Sequence, residues 1–340
     1  MVEERASELR LVLVMNYLSA LRSLALIFLL CPGRDPVSAA PLRVGVIGLD
    51  TSHATEFTAI INTPRPADAK YDLKVVAAYA KGSPDIESSV SKVPEYTEKM
   101  KSMGVEIVDS IEVLMTKVDA VLLETNDGRP HLEQFRQCLK AKKPVFIDKP
   151  VAASLADVLT IFKEAKAAGV PLFSSSALRY AKATQELRNG AMGKVLSAET
   201  VSPSPLEPTH PDLYWYGIHG IESLVTLMGP GVEKVKRGTT ADGKIQVTAT
   251  WKDGRSGVFT EGQGYSAKVK CGKGEAEAGK FDGYEPLVKE IAAFFHSGKS
   301  PVAESETLEI YALMEAADES KRRSGAEVAV AEVMGRAAGK

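Results

Sequence analysis

Short apolar runs alternate with helix-like segments from residue 42 to residue 174. Most runs are continuous rather than alternating in polarity, which is typical of parallel strands buried on both faces. Right-handed crossovers between such strands give a doubly wound sheet, so we predict an α/β domain over residues 41–177. The predicted strands are residues 42–48, 73–79, 105–108, 118–124, 144–148 and 170–174, and the predicted helices are residues 54–61, 131–141 and 155–168.

The pattern changes after residue 177, where longer segments alternate between polar and apolar residues. Alternation predicts strands with one exposed face, and Asp253-Gly254 is a hairpin turn signal between two of them. We therefore expect a second, α+β domain over residues 178–340 with an open-faced mixed or antiparallel sheet and C-terminal helices. Its predicted strands are residues 195–202, 232–239, 244–251, 256–261 and 265–271, and its predicted helices are residues 183–188, 285–295 and 304–323.

The first forty residues have a different composition. An apolar run from Leu24 to Cys31 follows Arg22, and Pro32 and small residues lead to Ala40. A positive residue, a short apolar core and a small-residue cleavage point are typical of a secretory signal peptide. We expect residues 1–40 to be such a leader and the mature protein to be periplasmic or extracellular. The protein is expected to be cytoplasmic if the leader is not used, and an uncleaved anchor is the other alternative.

Net charge and cysteine content limit the classes of molecule that the protein is expected to bind. The chain has 42 Lys and Arg against 44 Asp and Glu, so its net charge of −2 gives no general attraction for nucleic acid or an anionic membrane. Cys138 and Cys271, the two cysteines outside the leader, are isolated and make no metal-site spacing. We expect a small-molecule partner, no metal, no nucleic acid and no membrane span after processing, with a homo-oligomer possible in principle.

A glycine turn follows the first predicted strand. In the GxGxxG turn of dinucleotide-binding folds, glycines let the backbone approach a pyrophosphate at the next helix N-terminus. Here only Gly48 matches, because Asp50 stands at the second glycine and His53 at the third. The hydroxyls of Thr51 and Ser52, together with His53, can still hydrogen-bond a phosphate. The alternative is a capped turn that binds no nucleotide.

The second predicted strand ends at Tyr79 without the carboxylate that would bind the ribose hydroxyls of NAD. Lys81 and Ser83 follow, and both suit a 2′-phosphate. This favours NADP over NAD if either binds, and a solvated loop is the alternative.

Two further residues are candidates for acid and base chemistry. Lys149 directly follows the fifth predicted strand, where ligands bind in such sheets, and its ammonium can hydrogen-bond a substrate hydroxyl. His219 lies three residues before Glu222, so the two share a helix face, and it is a candidate general base. Tyr214, Trp215 and Tyr216 suit stacking on a sugar ring. The alternatives are a surface lysine and a core histidine.

These motifs, in this order, resemble the Gfo/Idh/MocA family of NAD(P)-dependent oxidoreductases. The resemblance runs from about residue 42 to residue 328. It is carried by Val44–Gly48, by Val118–Val121 with His131 following, by Asp148-Lys149-Pro150, by Leu178-Arg179-Tyr180, by Gly217-Ile218-His219 and by Ala316–Ser320.

The resemblance implies a Rossmann dinucleotide-binding domain, a mixed-sheet substrate domain, and hydride transfer between nicotinamide and a sugar or cyclitol carbon. It implies that Lys149 and His219 are catalytic and that Arg179 and Tyr180 line the substrate pocket. Tyr214, Tyr216 and Glu222 are further candidate substrate residues. The residues expected at NADP or NAD are Gly45, Gly48, Asp50, Thr51, Ser52, His53, Lys81, Ser83, Glu124, Asn126, His131 and Asp148.

Two departures keep other functions open. Asp50 breaks the glycine turn, and Trp215 stands where the family often has an aspartate, four residues before the histidine. A catalytically silent, exported sugar-binding protein on the same fold is therefore the alternative. A third hypothesis is an interaction subunit that uses the exposed face of the second sheet.

Overall fold

Six parallel strands build the first sheet of the computed structural model, which describes residues 40–66 and 71–339. The strand order is β3-β2-β1-β4-β5-β6. Successive connections therefore change direction between β1 and β4, and such a switch point leaves a crevice at the carboxyl edge of a sheet. The strands are β1 (Leu42–Ile47), β2 (Leu73–Tyr79), β3 (Glu106–Val108), β4 (Ala120–Leu123), β5 (Val145–Ile147) and β6 (Leu172–Phe173).

Helices connect these strands, as the sequence predicts, and two of them were not predicted. Ser154 caps one by accepting a hydrogen bond from the Asp157 N–H, and Gly169 ends it in the left-handed region. The helices are α1 (Ser52–Asn62), α2 (Glu87–Ser102), α3 (Ile111–Lys117), α4 (His131–Lys140) and α5 (Leu155–Ala168). The unpredicted helices are α2, which is polar and contains Pro94, and the short α3.

The second sheet has seven strands in the order β12-β11-β7-β10-β9-β8-β13. The β7–β10 pair is parallel and the other pairs are antiparallel, so the predicted mixed sheet is confirmed. Two short strands, β12 and β13, were not predicted. The strands are β7 (Val195–Ser202), β8 (Val232–Thr239), β9 (Ile245–Trp251), β10 (Ser256–Glu261), β11 (Ser266–Cys271), β12 (Gly274–Ala278) and β13 (Val328–Ala329).

Helix α7 (Ile218–Met228) lies against this sheet and is buried along its whole length. Gly220 permits the close approach, because a Cβ there would lie 2.3 Å from the Phe259 ring. A 3-10 turn (Ala177–Tyr180) joins the two sheets, and a π-turn (Leu213–Gly217) precedes α7. The helices of this part are α6 (Lys182–Arg188), α7 (Ile218–Met228), α8 (Glu285–Ser297), α9 (Glu304–Arg322) and α10 (Val330–Ala337).

Helix α8 packs on the first sheet rather than on the second. The Phe294 ring contacts Phe173 of β6, with centroids 5.1 Å apart, and Tyr284 contacts Phe57 of α1 at 5.5 Å. The predicted boundary at residue 177 therefore separates the strands of the two sheets. It does not separate the helices in the same way, because α8 follows residue 177 but covers the first sheet. The division into two domains stays a prediction.

None of the helices within the described residues has the length and apolar character needed to cross a membrane. The predicted leader, residues 1–40, lies outside the described residues apart from Ala40.

Candidate active site

A cavity of about 330 Å³ lies at the carboxyl edge of the first sheet. Its walls come from the β1–α1 turn, the ends of β4 and β5, and the π-turn with α7. This volume is at the lower end of the range for small-molecule sites, and the position is the switch point of the sheet. Side chains with polar groups in its lining include Ser52, His53, Asn126, Lys149, Tyr216 and His219.

Lys149 reaches the cavity from the end of β5 and is 4% exposed. Its Nζ lies 3.8 Å from Asp148 Oδ2, which compensates the ammonium. His53 Nδ1 lies 2.7 Å from the same oxygen. Burial would raise the pKa of Asp148, but His53 and Lys149 outweigh it and lower the pKa to about 2. The carboxylate thus holds Lys149 and His53 at the cavity floor.

His219 enters the same cavity from the first turn of α7. Burial, followed by the nearby charges of Lys149 and His53, lowers the pKa of His219 well below the usual histidine value. The ring is therefore neutral at neutral pH. Its Nδ1 lies 2.8 Å from Ser176 Oγ. In the tautomer that donates from Nδ1, Nε2 is free to accept a proton, so a cation and a neutral base share one cavity.

The β1–α1 turn needs Gly48, whose φ is +90°. A Cβ there would lie 2.5 Å from the backbone of Thr125. Asp50 does not project from the turn towards a phosphate, as its position in the sequence suggested. It is fully buried and accepts hydrogen bonds from Ser89 Oγ at 2.7 Å and from the Asn126 N–H at 3.0 Å.

The beginning of α1 has the donors that a phosphate needs. Thr51 is the N-cap and accepts from the His53 N–H, and Thr51, Ser52 and His53 all line the cavity. A helix N-terminus with hydroxyls and no carboxylate facing the cavity suits an anion. These residues therefore fit the phosphate part of a nicotinamide cofactor.

A polar bridge crosses the carboxyl end of β1 on the side where the sequence predicted a 2′-phosphate site. Ser83, after β2, donates to Asp127, after β4, at 2.5 Å. Arg129 pairs with Asp127 and also with Asp85 at 2.8 Å. Ser83 is thus buried and committed to Asp127, which does not fit its predicted ligand role. Lys81 is exposed, with its Nζ 5.9 Å from the Tyr79 ring centroid.

Two other residues predicted to bind the cofactor are packed inside the fold and do not line the cavity. Gly45 lies inside β1, where a Cβ would press on Leu114 and Val118. His131 is fully buried, with Nε2 2.7 Å from the Thr125 carbonyl and Nδ1 3.2 Å from the Val151 carbonyl. Both residues hold the scaffold behind the cavity.

Most of the predicted substrate residues lie behind the cavity wall. Arg179 is 3% exposed and forms ion pairs with Glu222 at 2.9 Å and Glu306 at 2.5 Å. Tyr214 is fully buried against Tyr311. These three predicted residues, Arg179, Glu222 and Tyr214, therefore support the site rather than face it, because their polar groups are used internally or buried.

Tyr180 also lies outside the cavity lining, whereas Tyr216 is part of it. The sequence prediction missed Tyr265 and Tyr284, which line the cavity from segments before β11 and α8. Tyr265 donates to the Tyr216 hydroxyl at 3.1 Å. Trp215, which the sequence suggested for stacking on a sugar ring, also lines the cavity. No local motif marks Tyr265 and Tyr284, because the fold brings them from distant segments.

Residues 42–176 match the model of the Gfo/Idh/MocA oxidoreductase family, which is described as an NAD-binding Rossmann fold. These residues contain all six strands of the first sheet. The resemblance predicted from the sequence is confirmed over these residues.

Part of the chain is also similar to a curated protein, myo-inositol 2-dehydrogenase of Thermotoga maritima. The two are 33% identical over 141 residues, which is 38% of this chain. The match spans 41% of the relative, less than half of its length.

Solved structures share the fold over a longer range. A probable dehydrogenase from Thermotoga maritima has a TM-score of 0.68 and 23% identity, and the match covers 86% of this chain and all of that one. Scyllo-inositol dehydrogenase from Lactobacillus casei, solved with NAD(H) and scyllo-inositol, has a TM-score of 0.66 and 16% identity over 86% and 99% of the two chains. At these identities the similarity shows the fold, so the predicted two-sheet architecture is confirmed.

Proposed function

We propose that the protein is an NAD(P)-dependent oxidoreductase that transfers a hydride to or from a hydroxyl-bearing carbon of a sugar or cyclitol. The observation that carries the proposal is the convergence of Lys149 and His219 on one cavity beside the N-terminus of α1. The family match supports the reaction class. The inositol dehydrogenase relative supports a polyhydroxylated ring as the substrate.

Different cavity residues would bind the cofactor, orient the substrate and transfer the proton. Thr51, Ser52 and Asn126 would hold the cofactor, which supplies the nicotinamide that accepts or gives the hydride. The Lys149 ammonium donates a hydrogen bond to the reacting hydroxyl and orients it. His219 Nε2 takes the hydroxyl proton during oxidation and returns it during reduction.

Aromatic residues complete the substrate side. Tyr216 and Tyr265 present hydroxyls to the sugar or cyclitol ring. The indole of Trp215 offers an apolar surface for the C–H groups of that ring. Exposed Lys81 near the end of β2 favours NADP as the cofactor, and NAD is the alternative.

Replacing Lys149 by Met tests the proposal. We expect Lys149→Met to abolish turnover of the sugar or cyclitol that the wild-type enzyme oxidises, measured as a change in nicotinamide absorbance. The cofactor affinity should stay within about twofold of the wild-type value. The exposed Lys163 provides a matched control, and Lys163→Met should leave turnover unchanged. Retained turnover in Lys149→Met would refute the assigned role.

The polar bridge favours a second candidate function, a sugar-binding protein without hydride transfer. Ser83, Asp85, Asp127 and Arg129 tie two loops together across the end of β1, on the side of the predicted 2′-phosphate site. A melting titration with NAD, NADH, NADP and NADPH separates the two functions. A cofactor at ~100 times its Kd stabilises by about 2.7 kcal/mol, a visible shift. A shift with sugars alone would support the binding protein.

We also propose that residues 1–40 act as an export leader, on the strength of the apolar run at residues 24–31. N-terminal sequencing of the protein from its native host tests this. A first residue at Ala40 or Pro41 supports export, whereas an N-terminus before residue 24 opposes it.

A further inference from the structure

Three ionisable side chains meet beneath the floor of the cavity. Glu124 directly follows β4, and its N–H donates to the Ile47 carbonyl at 2.7 Å. Asp148 directly follows β5, and its N–H donates to the Leu123 carbonyl at 2.9 Å. His53 comes from the first turn of α1. Three neighbouring segments of the fold thus direct their side chains to the switch point of the sheet.

The three residues are close enough to share one ligand. One donor atom from each, a histidine nitrogen and two carboxylate oxygens, lies within 4.8 Å of the others. Glu124 and Asp148 have no solvent exposure, and His53 is 9% exposed. Zn²⁺ is bound by such atoms at about 2.0–2.2 Å, so the three side chains would draw closer together around a cation.

Three carboxylate oxygens in this cluster have no hydrogen-bond donor among the described residues. Both carboxylate oxygens of Glu124 and Oδ1 of Asp148 are buried without a hydrogen-bond partner among the described residues. His53 and Lys149 both address the other oxygen of Asp148, Oδ2. A fully buried carboxylate without a donor is strongly unfavourable, so Glu124 requires a positive partner.

We propose that His53, Glu124 and Asp148 bind a divalent transition-metal cation, with Zn²⁺ or Mn²⁺ as the ions they suit. One imidazole and two carboxylates match the ligands of these metals, whereas Ca²⁺ takes only oxygen and Mg²⁺ keeps several waters. The cation displaces the proton between His53 Nδ1 and Asp148 and pairs with the Glu124 oxygens.

This site adjoins the proposed hydride-transfer site, because Asp148 contacts Lys149 and His53 also lines the cavity. Glu124 and Asp148 are fully buried beneath Lys149, so the cation would join α1 to β4 and β5 under the cavity floor. The sequence predicted no metal, because the three ligands come from distant segments without a recognisable spacing. The proposal is tested by measuring metal binding, which does not require an activity assay.

Metal content tests the proposal directly. The full purified chain is analysed by inductively coupled plasma mass spectrometry, then stripped with a chelator and titrated calorimetrically with ZnCl₂, MnCl₂ and MgCl₂. We expect about one Zn²⁺ or Mn²⁺ per chain, with at least hundredfold weaker binding of Mg²⁺. Glu124→Gln should lower the metal affinity at least tenfold, while Glu133→Gln, an exposed control on α4, should not.

The wild-type protein supplies a test that does not depend on the folding of a variant. Adding CoCl₂ to the stripped protein should produce visible absorption bands of bound cobalt, and adding ZnCl₂ should abolish them and raise the melting temperature. A wild-type chain that contains no metal and shows neither effect overturns the proposal. Glu124 would then carry a proton of its own.

Discussion

His219 shows how burial prepares one residue for chemistry. Its ring is buried beside Lys149, and both effects lower its pKa well below the usual value. A base with a low pKa keeps its lone pair in mildly acidic solution. Ser176 Oγ, 2.8 Å from Nδ1, holds the ring in this position.

We predict that oxidation in the wild-type enzyme keeps its full kcat/KM down to about pH 6, where an ordinary histidine with a pKa of about 6.5 is largely protonated. His219→Gln should lower kcat by about 10²- to 10⁴-fold. Steady-state rates over a pH series check both points, with exposed His296→Gln as the control. A wild-type rate that already declines near pH 7 would contradict the assigned environment.

Gly48 is fixed by geometry rather than by chemistry. We predict that Gly48→Ala destabilises the fold by about 2 kcal/mol or more, since its φ is positive and the new Cβ meets the Thr125 backbone. Urea unfolding measures the change. Gly335→Ala in α10 is the matched control, because that glycine has open space around its Cβ position and should gain roughly 0.5–1 kcal/mol. Equal behaviour of the two variants would refute the explanation.

Among the elements, the loops after β2 and β4 are joined by Asp127. Burial alone would raise the pKa of Asp127, but hydrogen bonds with His210, Arg129 and Ser83 outweigh it and hold the pKa far below its usual range. The ionised carboxylate therefore stabilises the folded state above the unfolded pKa of about 3.9. That stabilisation is lost as the pH decreases below about 4.

We predict that Asp127→Asn lowers the free energy of unfolding by about 1–3 kcal/mol at pH 7. The difference from wild type should shrink as the pH falls from 4 towards 2, because the carboxyl group then takes up a proton in the unfolded wild-type chain but stays ionised in the folded one. Thermal melts over this range measure it, and exposed Asp109→Asn should show little difference at any pH. A constant difference between wild type and Asp127→Asn would argue against a role for the charge.

Elements with a strong apolar pattern were predictable, and elements without one were not. Strand β4 is a continuous apolar run, and β1 and β2 are apolar runs interrupted by one basic residue each. Helix α5 has a Ser154 cap and a Gly169 stop. Helix α2 buries only Ser89 and Met100 and contains Pro94, so its sequence carries little helical periodicity.

The same contrast applies to the site. Lys149 and His219 were predictable because the end of a buried strand and a helix start are local features. Tyr265 and Tyr284 come from segments that only the folded chain brings to the cavity, and no local pattern marks them. The ion pairs of Arg179 were also unpredictable, since its partner Glu306 is far away in sequence.

Over the whole molecule, a buried ion-pair network connects the junction between the sheets with the C-terminal helices. Arg179 in the 3-10 turn pairs with Glu222 of α7 and Glu306 of α9, and Arg188 of α6 also pairs with Glu306. Four segments therefore depend on two arginines and two carboxylates. Such a network holds the cavity walls from behind.

We predict that Arg179→Met lowers the free energy of unfolding by about 3–5 kcal/mol, because it leaves buried carboxylates without their partner. Arg136→Met removes an exposed pair with Glu164 and should cost less than about 1 kcal/mol. Denaturant titration of both variants measures the contrast. Similar losses in the two variants would show that burial of the Arg179 network contributes little.

Helix α8 determines when the protein can finish folding. It covers the aromatic face formed by Phe57 and Phe173, yet it is synthesised long after that face has left the ribosome. The nascent chain therefore carries an uncovered apolar surface until residues 285–297 arrive. Exposed apolar surface of this kind favours aggregation, so a chain truncated before α8 would lack part of its first core and be prone to aggregate.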